Sequence, residues 1–182
     1  MPRLFAVLLG GNAPRSNTEL HDVVFVAGER VEDTYEELMD LWFGSVEGLH
    51  IDSWLELAAV DGYRVSLESG RADGPGRLFF VNLGAYRPGQ FAELHANTFL
   101  VAGGEDEAKR RAKASLLQGM ESVHTDDLYE VDDCLEIGEV AGLHVHLEAV
   151  GETPPPEPHN GWHPLPDAAI ADYLARHPER GR

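Results

Sequence analysis

Leu4-Phe-Ala-Val-Leu-Leu-Gly10 and Leu78-Phe-Phe-Val-Asn-Leu-Gly84 are two copies of one apolar stretch, identical at five of seven positions. The same spacing of 74 residues pairs Glu19-Leu-His21 with Glu93-Leu-His95, and it becomes 80 near the end of each copy. Repetition at a fixed spacing indicates internal duplication. We therefore predict a first repeat at residues 1–69 and a second at residues 77–149, folded together as one compact domain.

Each copy has the pattern of a ββαββ unit. Two apolar strands come first, and in the first copy the segment Thr34–Glu37 matches a helix capping box before the apolar stripe of Tyr35, Leu38, Met39 and Trp42. Trp54–Val60 then predicts a hairpin strand that turns at Asp61-Gly62 and returns through residues 63–67. Four strands and one helix bury little alone. We therefore expect an α+β fold in which the repeats pack about a pseudo-twofold axis.

The segment after the second repeat differs in composition. Residues 150–182 form a Pro-rich C-terminal tail, in which Thr153–Pro158 predicts a stiff spacer and residues 167–177 a short helix. Its apolar periodicity is weak, so we expect that removing the residues after Gly151 costs little stability unless Trp162 docks.

Charge and cysteine content restrict the classes of partner. The 182 residues carry a formal charge of −18, which disfavours binding to nucleic acid or to an anionic membrane surface. The single cysteine, Cys134, cannot form an intramolecular disulfide, and its acidic neighbourhood predicts a raised thiol pKa. The first apolar run is too short to cross a bilayer. We expect an acidic cytoplasmic protein, monomeric or homodimeric.

Histidines and carboxylates recur in both copies at a spacing of two residues. In the first copy the pairs are Glu19 with His21 and His50 with Asp52; in the second they are Glu93 with His95 and His124 with Asp126. Residues two apart on a strand share a face, so each pair presents an imidazole beside a carboxylate. Such pairs can ligate a divalent metal, act as a base or fix a histidine tautomer.

Two functions fit these pairs. In the first, the protein binds a small molecule or a divalent metal at a histidine–carboxylate site between its duplicated halves, and hydrolysis is one reaction that such a site allows. In the alternative, the same groups hold turns together, and the protein is a non-catalytic interaction or structural module. The Gly-rich segment at residues 9–14 lacks the full pattern of a nucleotide-binding loop, so a nucleotide site is not expected.

Five motifs of the first copy resemble a known family. They are Leu-Gly-Gly at 9–11, Glu-Leu-His-Asp at 19–22, Trp-Phe-Gly at 42–44, Leu-His-Ile-Asp-Ser at 49–53 and Val-Asp-Gly-Tyr at 60–63. The second copy continues the resemblance in Phe80–Gly84, Glu93–His95, residues 124–127 and residues 131–135. The chain thus resembles the bacterial family known as domain of unknown function 1543, in two tandem copies over residues 4–148. The resemblance implies no activity and assigns no functional residues.

Overall fold

The computed structural model of the chain describes residues 1–86, 89–117 and 129–181. The strands are β1 (Arg3–Gly11), β2 (Leu20–Gly28), β3 (His50–Glu56), β4 (Ala59–Val60), β5 (Tyr63–Glu68), β6 (Arg77–Tyr86), β7 (Glu93–Ala102), β8 (Tyr129–Glu136), β9 (Glu139–Val140), β10 (Leu143–Ala149) and β11 (His159–Pro164). The helices are α1 (Tyr35–Leu41), α2 (Glu105–Leu117) and α3 (Asp167–Arg176), with 3-10 turns at Val31–Thr34 and Pro178–Arg180. This mixed α+β composition confirms the predicted fold class.

The two copies have the same order of elements. Two strands, a helix, a long strand and a hairpin occur in each, as β1 to β5 around α1 and as β6 to β10 around α2. None of the described helices has both the length and the apolar character needed to cross a bilayer.

The chain divides into two compact units. Unit 1 contains Met1–Ala58, Val140–Gly142 and Pro156–Arg182, and unit 2 contains Ala59–Glu139 and Leu143–Pro155. The first repeat's hairpin, β4 and β5, thus belongs to the same unit as most of the second repeat.

Unit 1 is built on an antiparallel sheet of order β11-β3-β1-β2. Strand β1 is buried along nearly its whole length, as its uninterrupted apolar run predicts. Phe5, Val7 and Leu9 pack in one core with Leu38 and Trp42 from the α1 region. The predicted helix stripe is therefore confirmed as core.

Unit 2 contains a three-stranded antiparallel sheet of order β7-β6-β8 with α2 packed against it. Its core combines Phe79, Val81 and Leu83 of β6 with Ala108 and Ala112 of α2. Small residues on α2 suit this position because they let the helix backbone lie close to the sheet.

A second sheet has the order β4-β5-β10-β9, so one hairpin of each repeat contributes to it. In the β5–β10 register, Val65 pairs with Leu147 and Leu67 with Val145, on either side of the Ser66–His146 pair. Because residues 65, 66 and 67 correspond to 145, 146 and 147 at the spacing of 80, this pairing is locally two-fold.

The structure corrects the predicted hairpin strand Trp54–Val60. Its first part belongs to β3, which pairs with β1, and only Ala59 and Val60 pair with β5. Each repeat therefore has five strands rather than four. The turn at Asp61-Gly62 is placed correctly, and both residues have positive φ angles, 53° and 85°.

The start of α1 is also corrected. The Thr34 hydroxyl donates to the Val31 carbonyl oxygen at 2.7 Å and does not cap the helix. A carboxylate closes the preceding turn instead, where the Arg30 amide donates to Asp33 Oδ2 at 3.0 Å. The polar and apolar pattern around Thr34 fits either position, so only the backbone path distinguishes them.

The tail docks on unit 1 through residues other than Trp162. Leu165 and Tyr173 are 2% and 1% exposed, and β11 pairs with β3. The tail therefore packs on the body without Trp162, which the sequence did not reveal because these anchors are too few to form a periodic pattern.

Candidate functional site

Three adjacent strands of unit 1 place two imidazoles on either side of a glycine. Gly10 near the end of β1 stands opposite His21 on β2 and opposite His50 on β3. Glu19 comes just before β2, and Asp52 lies two residues beyond His50. We name Glu19, His21, His50 and Asp52 the histidine–carboxylate cluster.

A β-bulge positions Asp52. Along β1, Leu9 pairs with Ile51 and Leu8 with Ser53, so Asp52 is the extra residue on β3. A bulge bends its strand and re-aims a side chain, and bulges are frequent beside functional sites.

Gly10 provides the space that the cluster occupies. A Cβ atom at this position would lie 2.5 Å from both Asp52 Oδ2 and His50 Nε2. Any larger residue at position 10 would therefore displace one of these two side chains. Glycine at the centre of three strands is costly for a sheet and often marks such a close approach.

The polar atoms of the cluster converge on one small volume. His21 Nε2 lies 3.3 Å from Glu19 Oε1 and 3.1 Å from Asp52 Oδ2. His50 Nε2 lies 3.6 Å from Glu19 Oε2 and 3.4 Å from Asp52 Oδ1. One ligand atom each from Glu19, His50 and Asp52 can be chosen within 4.8 Å of one another.

Hydrogen bonding leaves this volume rich in unshared electron pairs. His50 Nδ1 is 2.9 Å from the Gly48 carbonyl oxygen, which can only accept, so Nδ1 carries a proton and Nε2 is the ring nitrogen that faces the cluster. Asp52 Oδ2 is buried and has no hydrogen-bond partner among the described residues. Its 3.1 Å contact with His21 Nε2 thus lacks hydrogen-bond geometry.

The cluster is open on one side. The His50 side chain is 5% exposed and that of Asp52 27%, whereas those of His21 and Glu19 are 48% and 47% exposed. The inner pair is held in the sheet, and the outer pair faces solvent. A small molecule can therefore reach the cluster from the His21 and Glu19 side.

The second repeat keeps part of this arrangement. Gly84 stands opposite His95, and His95 Nε2 lies 3.7 Å from Glu93 Oε2. His124 and Asp126 lie outside the described residues. On β8, Gly84 pairs with Glu130, so Glu130 takes the register position that His50 has in the first repeat.

This register corrects the alignment of the copies. The change of spacing from 74 to 80 means that the second copy contains an insertion. Glu130, which pairs with Gly84, already lies 80 residues after His50, so this insertion precedes Glu130. The β8 register also skips Asp132, the counterpart of Asp52 at the bulge. Glu130 and Asp132 thus take the register positions of His50 and Asp52 in the second repeat.

The sequence did not reveal three contributors to the site. Gly10 is essential to the approach of His50 and Asp52, and its repetition as Gly84 was the available signal. Gly48 supplies the carbonyl that orients His50, and Trp162 of β11 places its ring centroid 6.0 Å from that of His50. No local pattern connects either residue with the cluster.

Unit 2 holds a separate cavity of about 590 Å³. Its charged and titratable lining residues are Arg71, Arg77, Glu136, Glu139 and His144. Arg77 already pairs with Glu136 at 3.0 Å, and His144 lies 3.8 Å from Glu139. Arg77 and Glu136 thus compensate each other's charge.

Cys134 is not suited to nucleophilic chemistry. Burial raises the pKa of the thiol, and the nearby Glu105 carboxylate raises it further. The predicted direction is confirmed, because both effects disfavour the thiolate.

Comparison with known proteins supports the duplication. The model of the family described as Domain of Unknown Function (DUF1543) matches residues 16–67 and 90–145. The crystal structure of a protein Il1583 from Idiomarina loihiensis is similar, with 38% sequence identity and a TM-score of 0.72 over 92% of this chain and 99% of that one. No curated protein matches the chain. Each matched segment lies within one of the two repeats, and the chain belongs to the DUF1543 family.

Proposed function

We propose that the histidine–carboxylate cluster of the first repeat binds one divalent first-row transition metal and presents it to a small molecule. The observation that carries this proposal is the set of four short distances between nitrogen and oxygen atoms, from 3.1 to 3.6 Å. Ligand atoms that share a metal at about 2.1 Å in tetrahedral geometry lie about 3.4 Å apart. Glu19, His50 and Asp52 can each offer one ligand atom within 4.8 Å of the others, so these three have a spacing compatible with a shared metal, and His21 lies beside them.

The chemistry of the donor set supports the same conclusion. Two neutral imidazoles and two carboxylates form a mixed nitrogen and oxygen set suited to zinc, manganese or nickel. A divalent cation would neutralise the charges of Glu19 and Asp52. It would also give Asp52 Oδ2, which is buried without a hydrogen bond, a partner.

The exposed side of the cluster favours hydrolysis as the reaction. His50 and Asp52 would hold such a metal within the sheet, and water would reach it from the exposed side of Glu19 and His21. A metal lowers the pKa of a bound water and polarises a bound carbonyl. Glu19, half exposed beside His21, is then placed to accept a proton from such a water.

Calorimetric titration with zinc, manganese and nickel tests the proposal on protein freed of metal by a chelator. We expect stoichiometric binding to the wild-type chain and its loss in His21→Ala, chosen because His21 is exposed and its removal should leave the fold intact. Asp52→Asn keeps the shape of the side chain and should weaken binding at least tenfold.

His95→Ala is the matched control, because His95 has the register position of His21 in the second repeat. We expect it to leave the first-repeat site occupied. Equal loss of binding in His21→Ala and His95→Ala would contradict a site formed by one repeat. Absence of binding to the wild-type chain would favour the alternative, in which these groups only hold the sheet together and the protein is an interaction module.

A further inference from the structure

Strand β11 carries an exposed indole to the edge of the histidine–carboxylate cluster. It lies on the outer side of β3, where His159 pairs with Trp54, Asn160 with Ser53, His163 with Ile51 and Pro164 with His50. Two residues of β11, Gly161 and Trp162, therefore lie opposite one residue of β3, Asp52. The β3 bulge at Asp52 is thus matched by an irregularity in the tail strand.

The backbone of this irregularity directs Trp162 outwards. Gly161 has a φ of 149°, in a region that side-chain-bearing residues rarely adopt. The Trp162 ring is 6.0 Å from the His50 ring, tilted by 54°, and the residue is 70% exposed. Tryptophan is usually well buried, so a solvent-facing indole beside a polar cluster is unusual.

The strand is anchored on both sides of Trp162. Before it, the His159 ring stacks on Trp54 with centroids 4.0 Å apart, and Ser53 Oγ donates to Asn160 Oδ1 at 2.6 Å. After it, the Leu165 amide donates to the Leu49 carbonyl, and the Leu165 side chain is buried. The indole is therefore presented from a fixed backbone, which lowers the entropic cost of binding against it.

We infer that Trp162 forms an aromatic platform for a planar ring on the small molecule that the cluster's metal binds. The inference rests on the proposed metal site and names the class of ligand for it. A flat ring can stack on the indole while a chelating group reaches the metal beside His50. The formal charge of −18 disfavours the approach of an anion, so we expect a ligand that is uncharged in solution.

Two hydroxamic acids, uncharged in solution, test this inference on the metal-loaded full chain; each would release its N–OH proton to the solvent when it chelates the metal. Benzohydroxamic acid carries a ring, and acetohydroxamic acid has the same chelating group without one. We expect the wild-type chain to bind the first about tenfold more tightly. Trp162→Ala should abolish most of this preference, and Trp162→Phe should keep part of it, while metal affinity stays unchanged in both.

Phe43→Ala is the matched control, because Phe43 is also a large exposed aromatic residue, at 56%. It should retain the full preference. The inference is overturned if Trp162→Ala keeps the wild-type preference or if Phe43→Ala loses as much of it. Failure of the metal site appears separately, as absence of metal uptake before either hydroxamic acid is added, and it would overturn this inference as well.

Discussion

Gly10 determines whether His50 and Asp52 can share one side of the sheet. Both side chains reach to 2.5 Å from the place where a Cβ atom would stand. A real Cβ never approaches heavy atoms so closely, so an added methyl group must push one of them away. The site thus depends on a residue that contributes no side chain.

Gly10→Ala should therefore weaken metal binding at least tenfold. Gly74→Ala is the matched control, since a Cβ there meets nothing within 4 Å. Calorimetric titration measures the metal affinity of both variants, and circular dichroism reports whether the fold is retained. Unchanged metal affinity in Gly10→Ala would show that the cluster is not the binding site.

Two neighbouring glutamates on α1, Glu36 and Glu37, have carboxyl pKa values that are shifted in opposite directions. Arg176 of α3 binds Glu36 and lowers the pKa of that carboxyl, so its contribution to stability is present at neutral pH and is lost as pH falls through the lowered pKa. Burial raises the pKa of Glu37, so stability declines as pH rises from the ordinary glutamate pKa through the raised one.

Substitution by glutamine should separate these effects. At pH 7, Glu36→Gln should lower the melting temperature and Glu37→Gln should raise it. As pH falls, the Glu37→Gln difference should shrink first, through the raised pKa of Glu37, and the Glu36→Gln difference should disappear only below the lowered pKa of Glu36. Thermal unfolding followed across this pH range checks the two signs, and shifts of the same sign at pH 7 would contradict the assignment.

The tail is an element of unit 1 because its anchors lie in the core. Tyr173 is 1% exposed, and its hydroxyl donates to Asp40 Oδ1 at 2.7 Å. Arg180 donates to the carbonyl oxygens of Met39 and Trp42, at the end of α1. These contacts tie the last residues of the chain to the α1 region.

Deleting the residues after Pro155 should lower the free energy of unfolding by about 3–6 kcal/mol, because two fully buried side chains are lost. Tyr173→Phe should cost about 1 kcal/mol, the usual contribution of one hydrogen bond. Denaturant unfolding measures both, with Tyr63→Phe as the control. A truncated chain as stable as the full one would contradict the docking.

At the scale of the whole molecule, the repeat signal and the apolar patterns predicted the first two strands, the helices and the turn at Asp61-Gly62. The pairing partner of β3 was not predictable, because its apolar residues could equally pair with β1 or with the return strand of the predicted hairpin. The four cluster residues of the first repeat were predicted individually. Their meeting point depends on Gly10 and on a bulge, which sequence spacing alone does not specify.

The first repeat's hairpin is also bound by elements of the second repeat, within unit 2. Asp61 Oδ1 and Oδ2 accept hydrogen bonds from Arg111 Nη2 of α2 at 2.9 and 2.7 Å. Asp61 Oδ2 also accepts from the Val101 amide of β7 at 3.0 Å. The corresponding turn of the second repeat has Ala141, with a φ of 52° against 53° for Asp61. The two turns share a backbone conformation and differ in this side chain.

Asp61→Asn should accordingly lower the free energy of unfolding by about 1 kcal/mol, because it keeps a side chain that tolerates positive φ but removes the charge that Arg111 binds. Asp61→Ala should cost more, since it also removes the acceptor for the Val101 amide. Ala141→Asn is the control and should be neutral or slightly stabilising. Denaturant unfolding measures all three, and an Asp61→Asn variant as stable as wild type would mean that the Arg111 pair does not hold the hairpin.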